Sequence, residues 1–262
     1  MGKLIGQTFK EDFKSIILWL LLPIASALIF LQLLDVFRDS PLLGIGMTIS
    51  MTMITMGPLI ALGVAAKNDY ERFYGKNAAF YSALPLSSSA INGARLVGFI
   101  LVGLIIALAA FINFIILILV TSNLSMGELF DAIANTLAHQ VSISTIIGVI
   151  LLFFTMGIYL VSIIMLANTA GSSRIFGKKS KYAPAILFFI LFFGLGMLTA
   201  RIQGSALSEY MQSTYISESI EVGVTSNLPI KVMALPMMIN ILISLVSYGL
   251  TYYFHDKKLS VN

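Results

Sequence analysis

The chain has 262 residues, of which 58% are hydrophobic and only 11% are charged, and its formal net charge is +4. Soluble domains carry roughly 25% charged residues, so the composition excludes an ordinary soluble domain and favours a helical membrane protein. The absence of cysteine excludes disulfides, thiolate metal sites and cysteine nucleophiles. The only two histidines, His139 and His255, lie at the ends of apolar runs. We therefore expect no metal, no cofactor in this chain and no enzymatic activity.

Six apolar runs follow one another along the chain. A helix needs roughly 20 residues to cross the hydrocarbon core of a bilayer. The runs are near or above that length and cover 15–34, 42–66, 96–120, 141–167, 183–200 and 232–254. We predict an all-α membrane protein in which residues 1–262 form one domain with six transmembrane helices.

Lysine and arginine are distributed unevenly among the connecting segments. With the N-terminus in the cytoplasm, the inner segments carry 13 of these residues and the outer loops carry 3. Because basic residues favour cytoplasmic segments, this bias predicts that both termini are cytoplasmic. Residues 1–14 place Ile5, Phe9 and Phe13 on one stripe with lysines beside it, which predicts an interfacial helix or a simple lipid anchor.

The stretch from Lys67 to Arg95 is the longest polar interruption in the first half of the chain. Its aromatic stripe, at helical spacing, comprises Tyr70, Phe73, Tyr74, Asn77 and Tyr81. Pro85 ends that helix, and the serines at 87–89 offer an N-cap for the next one. One interpretation is an interfacial loop whose aromatics rest among lipid headgroups. The other is a surface on which a soluble partner pushes.

Two spans carry side chains that suit a cargo path. Methionine adapts to irregular apolar partners, and hydroxyl and amide groups make hydrogen bonds between helices. The candidate path residues are Met47, Met51, Thr52, Thr55, Met56, Asn240 and Ser244. Helix packing is the commoner explanation of both stripes. The third span begins with a small-residue face, Ala94 and Gly98, which favours close contact with another helix or a second subunit.

No Asp, Glu, Lys, Arg or His lies inside any of the six predicted spans. Ion-coupled carriers and proton relays need such groups at depth, and intramembrane hydrolases need acids or metal ligands there. This pattern weakens a secondary carrier and favours a membrane protein that uses the energy of another protein. A membrane scaffold or immunity protein without transport is a third interpretation.

The inner segment before the third span ends in Leu84-Pro85-Leu86-Ser87. With six spans, inner termini and an amphipathic N-terminal helix, the sequence resembles the type-2 permeases of ATP-binding-cassette exporters over nearly its whole length. The resemblance implies that this permease pairs with a second copy or a paralogue. Each permease would rest on a separate ATPase subunit, which binds ATP and magnesium. The chain is similar to exporter permeases of Gram-positive bacteria, which sit in the plasma membrane and move amphipathic peptides such as bacteriocins and phenol-soluble modulins.

The resemblance also implies residue roles. A helix near Asp69–Phe80 would be the cytoplasmic coupling helix between helices 2 and 3, seated in a groove of the ATPase. The implied coupling residues are Asp69, Tyr70, Arg72, Phe73, Tyr74, Lys76 and Asn77. The basic residue that often follows the motif is replaced here by Ser88 and Ser89. The expected partners are thus the ATPase, a second permease, membrane lipid and a hydrophobic or amphipathic cargo, with no nucleic acid.

Overall fold

A computed structural model describes residues 2–34, 41–83, 85–122, 126–139, 142–173, 182–217 and 230–258. Every regular element in these ranges is an α-helix. The helices are α1 (Gly2–Leu34), α2 (Pro41–Phe73), α3 (Ala78–Ser82), α4 (Ser88–Ser122), α5 (Met126–His139), α6 (Ile143–Gly171), α7 (Ala183–Ser217) and α8 (Ile230–Lys258). They form two compact units, Met1–Asp131 and Ala132–Asn262, and the boundary falls inside α5.

Five helices in the described ranges are long and apolar enough to cross a membrane. The candidate spans are Thr48–Phe73, Ser88–Ile116, Ile143–Gly171, Ala183–Ile202 and Met233–Asp256. Their outer surfaces expose large apolar side chains such as Leu108, Phe153 and Leu245, which suits contact with lipid. The multi-pass membrane character expected from composition is therefore confirmed. The sixth span, within α1, and the side on which the termini lie stay predictions.

The N-terminal residues belong to the first helix rather than to a separate interfacial helix. The helix α1 runs without a break from Gly2 to Leu34. Leu4, Thr8, Asp12 and Ile16, at every fourth position, are all buried. Because residues four apart share one face of a helix, this stripe packs the first third of α1 into the bundle. The helix therefore has no break at the predicted boundary between residues 14 and 15, and the place of residues 1–14 at the membrane interface stays a prediction.

The helices α2 and α4 are also longer than the apolar runs that predicted them. The helix α2 continues to Phe73 beyond the predicted end at 66, and α4 begins at Ser88 rather than at 96. Asp69, Arg72 and Arg95 therefore lie inside helices that are long enough to span a membrane. The predicted spans 42–66 and 96–120 themselves contain no charged residue, and these three residues lie in the parts of α2 and α4 that extend beyond them.

The first unit is held by close packing of α1 against both α2 and α4. The small-residue face of α4 meets α1, because a Cβ atom added at Gly98 would lie 3.4 Å from Thr8 Oγ1. The closest approach of α1 and α2 is at Gly57, where an added Cβ would lie 2.6 Å from Pro23 Cγ and 2.8 Å from the Trp19 carbonyl oxygen. Only glycine allows the two backbones to approach so closely.

We expect Gly57→Ala to lower the free energy of unfolding by about 1–3 kcal/mol, the usual cost of overpacking a core. The added methyl group must push α1 away from α2, since the atoms that it meets belong to a proline ring and a backbone. Thermal unfolding in detergent measures the change. Gly63→Ala on the same helix is the matched control, because its added Cβ meets nothing within 4 Å. Equal stability of the two variants would contradict this packing.

In the second unit, α6 packs against α7 and α8. The polar stripe of α8 is buried and comprises Asn240, Ser244, Ser247 and Thr251. Two of its hydroxyls are satisfied within the helix, since Ser244 donates to the Asn240 carbonyl at 2.7 Å and Thr251 to the Ser247 carbonyl at 2.8 Å. This stripe therefore forms a packing seam of the second unit.

Candidate functional site

Four charged side chains meet inside the first unit, where the start of α1 adjoins the end of α2 and the start of α4. They are Asp12 from α1, Asp69 and Arg72 from α2, and Arg95 from α4, and all four are buried. We call this group the buried charge cluster. A small cavity of about 10 Å³ lies among its members, a volume comparable to one water molecule.

Asp12 and Arg72 join α1 to α2. Arg72 donates from Nη1 to Asp12 Oδ2 at 3.0 Å and from Nη2 to Asp12 Oδ1. Its Nε donates to Glu11 Oε2 at 3.2 Å, and Asn68 donates to Asp12 Oδ1 at 3.0 Å. Burial raises the pKa of Asp12 above its ordinary value, although the hydrogen bonds from Arg72 and Asn68 oppose that rise.

Asp69 and Arg95 join α2 to α4 through a bidentate ion pair. Arg95 donates from Nε to Asp69 Oδ1 at 2.8 Å and from Nη2 to Asp69 Oδ2 at 2.6 Å. Its Nη1 donates to the Tyr74 hydroxyl at 2.8 Å and to Asn92 Oδ1 at 3.1 Å. The guanidinium also lies 4.9 Å from the centre of the Phe73 ring, a distance at which a cation and an aromatic face attract.

The buried charge cluster therefore ties the ends of three helices together. Burial of charges is costly unless each charge is paired and hydrogen-bonded, and both arginines here meet carboxylates with two nitrogen atoms each. Removal of one partner from such a pair leaves an uncompensated charge and costs about 3–5 kcal/mol. The packing of each of these helix ends therefore depends on the charged partners that the other helices supply.

The connection from α2 to α4 is short and is attached to the cluster from one side. We call residues 74–87 the linking segment. Gly75 allows a tight turn after α2, because an added Cβ would lie 2.8 Å from Glu71 Cα. The five-residue helix α3 follows, and Ser87 accepts a hydrogen bond from the Ala90 amide at 3.3 Å at the start of α4. The predicted helix break at Pro85 and the serine cap are confirmed.

Tyr81 fixes the linking segment to α1 and α2. It is buried in an apolar cluster with Leu4 and Ala94, and its ring centre lies 5.1 Å from that of Phe73. Its hydroxyl donates to Glu11 Oε2 at 3.4 Å. Burial raises the pKa of Tyr81, and the nearby Glu11 carboxylate raises it further, so the phenol keeps the proton that it donates.

Several residues of the linking segment are exposed. Phe80 is 57% exposed, and the other exposed residues among those that the structure describes here are Lys76, Asn77, Ala79, Ala83, Pro85 and Ser87. We call these seven residues the exposed face. The Lys76 ammonium lies 3.3 Å from Glu71 Oε2. The exposed face thus presents one large aromatic ring with small and polar neighbours.

The structure divides the predicted coupling residues into two groups. Asp69 and Arg72 are buried in ion pairs, and the aromatic residues Tyr70, Phe73 and Tyr74 are half-buried. Lys76 and Asn77 belong to the exposed face. The expected single helix over Asp69–Phe80 is wrong, because α2 ends at Phe73 and α3 begins at Ala78.

Sequence reasoning missed Glu11, Asp12 and Arg95 as members of the site and Phe80 as its exposed ring. It placed Tyr81 on the aromatic stripe but did not predict its burial. Asp12 lies on the same buried helix face as Leu4, Thr8 and Ile16, which are spaced four residues apart. An acid on a core stripe indicates a buried partner. The identity of that partner was hidden, since Arg72 is 60 residues away along the chain.

The candidate cargo-path residues lie in different surroundings. Met51 is half-buried, whereas Thr52, Thr55 and Met56 are exposed on α2; the side chain of Met47 lies outside the described part. Asn240 and Ser244 are buried in the second unit. No contact in the described ranges assigns a cargo to these side chains, so their role in a path stays a prediction.

Among the residues that the structure describes, no three His, Cys, Asp or Glu side chains are grouped closely enough to hold a metal ion. Comparisons of the chain with protein-family profiles, with curated proteins and with solved structures found no match.

Proposed function

We propose that this chain is the membrane subunit of an exporter whose ATP is hydrolysed by a separate ATP-binding-cassette subunit. The observation that carries the proposal is the two-sided linking segment. Tyr81 attaches the segment to α1 and α2 through Glu11 and Phe73, and Tyr74 attaches it to α4 through Arg95. The segment also exposes Phe80. A segment of this kind suits the transfer of force from a soluble partner to the helix bundle.

The rigidity of the attachment supports this role. A push on a flexible loop would be absorbed by the loop, because its backbone has many accessible conformations. Here, Tyr81 contacts α1 through Glu11, and Tyr74 contacts Arg95 of α4. Displacement of the linking segment would therefore move α1 and α4 with it or break these partly buried polar contacts.

The proposed partner is an ATPase that binds ATP and magnesium and receives Phe80 in a groove. Exposed aromatic side chains are frequent anchors of protein interfaces. The sequence Leu84-Pro85-Leu86-Ser87 and its place before α4 support the same assignment by resemblance. We propose that two permease subunits, identical or paralogous, pair in the bacterial plasma membrane and export a hydrophobic or amphipathic peptide.

We expect Phe80→Asp to weaken binding of the ATPase by roughly thirtyfold, because the loss of an interface anchor costs about 2 kcal/mol. A candidate ATP-binding-cassette ATPase that co-purifies with this chain is the partner to test, with affinity measured by titration in detergent. Phe111→Ala is the control, because Phe111 of α4 is 59% exposed, close to the exposure of Phe80. Alanine is used at this position because Phe111→Asp would place a charge in a candidate span. The affinity of Phe80→Ala for the ATPase should lie between that of Phe80→Asp and that of the native protein.

The absence of native cysteine allows a direct test of contact. A single cysteine introduced as Phe80→Cys and labelled with a thiol-directed photocrosslinker should crosslink to the bound ATPase on illumination, whereas Leu108→Cys on the apolar surface of α4, labelled in the same way, should not. Equal crosslinking from both positions, or unchanged affinity of Phe80→Asp, would exclude the exposed face as the docking site.

The buried charge cluster also favours a second candidate, a secondary carrier. Charged residues buried in membrane helices are frequent parts of ion or proton pathways, and Asp12 and Asp69 both line the small cavity. Such a carrier would move cargo in response to a proton gradient with no ATPase present. Asp12→Asn would then abolish the dependence of transport on the gradient.

A further inference from the structure

The outward face of α1 changes from basic to apolar within one helical turn. Lys3, Lys10 and Lys14 are exposed, and their spacings of seven and four residues place them on one side of the helix. The same side continues with Leu18, which is 61% exposed, and Leu21, which is 55% exposed. Exposed leucines on a helix of a membrane protein face the lipid chains. The change from lysine to leucine therefore marks the level at which α1 enters the hydrocarbon core.

The outward face of α2 changes in the same way. Met56 and Ile60 are 49% and 39% exposed. The next charged residue on this side is Lys67, whose side chain is 71% exposed. The helix α2 thus passes from an apolar to a basic surface as it approaches the linking segment.

Two contacts fix the register of α1 against α2. Asn68 donates to Asp12 Oδ1 at 3.0 Å, and Pro23 Cγ lies 2.6 Å from the Cβ position of Gly57. The separation from Asp12 to Pro23 is 11 residues, and that from Gly57 to Asn68 is also 11 residues. The two helices therefore run antiparallel, and residues at equal distance from these contacts share one level.

This register places the first lysine of each helix at one level. Lys14 is two residues from Asp12, and Lys67 is one residue from Asn68, in both cases toward the apolar part of the helix. At 1.5 Å of rise per residue, the two lysines differ in height by about 2 Å. Two helices therefore place the membrane surface at the same height, on the side of the linking segment.

The lysines of α1 lie at different depths relative to this surface. Lys14 is four residues from Leu18, or about 6 Å along the helix axis, and the headgroup layer on each side of the hydrocarbon core is roughly 5–8 Å thick. Lys10 is about 6 Å further out, and its flexible chain can reach back to the headgroups. Lys3 is about 16 Å beyond Lys14 and lies outside this layer. We call Lys10 and Lys14 the lysine pair.

The acids beside the lysine pair are engaged elsewhere. Glu11 Oε2 accepts hydrogen bonds from Arg72 Nε at 3.2 Å and from the Tyr81 hydroxyl at 3.4 Å, and Asp12 is buried. Among the described residues, no carboxylate forms an ion pair with either lysine. The lysine pair therefore presents two positive charges to the headgroup layer.

We propose that the lysine pair binds the phosphate of an anionic phospholipid whose acyl chains lie along Leu18 and Leu21. Basic residues near a membrane surface attract anionic lipids. A zwitterionic lipid is disfavoured, because its headgroup carries a cation beside the phosphate. The site selects one class of lipid at the base of α1, and it does not depend on the proposed transport function.

The single tryptophan of the chain can be moved to report on this lipid. Trp19→Phe combined with Leu21→Trp places the only indole seven residues from Lys14 on the same face of α1. Bromine atoms on acyl chains quench tryptophan fluorescence on contact. The reporter protein is reconstituted in vesicles that contain phosphatidylglycerol and phosphatidylcholine, with one or the other lipid brominated. We expect phosphatidylglycerol to be preferred roughly fivefold to twenty-fivefold, since each lysine near the surface contributes about fivefold.

Three lysine variants of the reporter protein test the assignment. Lys10→Gln combined with Lys14→Gln should remove the preference, whereas Lys14→Arg should retain it. Lys3→Gln is the matched control, because it removes one charge from the same face outside the headgroup layer, and it should change the preference less than twofold. Equal quenching by the two lipids with the lysine pair intact would overturn the proposal. A preference that survives loss of both lysines would also overturn it.

Discussion

Replacing Arg95 by methionine is expected to lower the free energy of unfolding by about 3–5 kcal/mol, the cost of removing one member of a buried ion pair. The carboxylate of Asp69 would stay buried without the two hydrogen bonds from Arg95. The Tyr74 hydroxyl and Asn92 Oδ1 would lose the same donor. Thermal or denaturant unfolding in detergent, at pH 7, measures the loss.

The double variant Asp69→Leu with Arg95→Met is the control for this prediction. Replacement of a whole buried ion pair by apolar side chains of similar volume is often neutral or stabilising, so the double variant should recover most of the stability that the single variant loses. If the two single effects simply added in the double variant, Asp69 and Arg95 would not act as a pair in the folded protein.

Arg72→Met is expected to have a stability effect of similar size and a separate effect on export. Arg72 bonds Asp12 and Glu11 of α1, so its loss should loosen α1 from α2 and from the linking segment. The exposed face stays intact. We therefore expect the Phe80→Cys crosslink to the ATPase to persist while ATP-driven export is lost.

Arg72→Lys keeps the charge but not the planar group with several donors, so it should recover export only in part. Two results would contradict the role of Arg72. One is native export by Arg72→Met at a temperature where the protein is folded. The other is loss of the Phe80→Cys crosslink together with export, which would make the cluster part of the docking surface itself.

The helical membrane architecture was predictable because apolar runs are long and proline and serine mark helix ends. Pro85 and Ser87 separate α3 from α4 as expected. The limits of the helices were less predictable. A span estimated from hydropathy stops at the first charged residue, since a charge is assumed to lie in water, whereas Asp69 and Arg95 neutralise each other inside the bundle.

The location of the site in the sequence was predictable, but the orientation of its side chains was not. The stretch after the second span was identified from its aromatic stripe, and the stripe was expected to face a partner. Instead, the Arg95 guanidinium covers the rings of Phe73 and Tyr74, and Phe80 is the aromatic residue left exposed. Pairing between residues far apart in sequence decides this orientation, and the sequence of one chain does not display such pairing.

Reconstitution of the purified chain into lipid vesicles, with and without a co-purified ATP-binding-cassette ATPase, tests the proposed function most directly. The measured quantity is movement of a fluorescent amphipathic peptide across the vesicle membrane. We expect movement only when both chains are present and ATP is hydrolysed, and none from this chain alone with or without a proton gradient. Peptide movement by this chain alone, with no nucleotide hydrolysed, would contradict the proposal that it is the membrane half of an ATP-driven exporter.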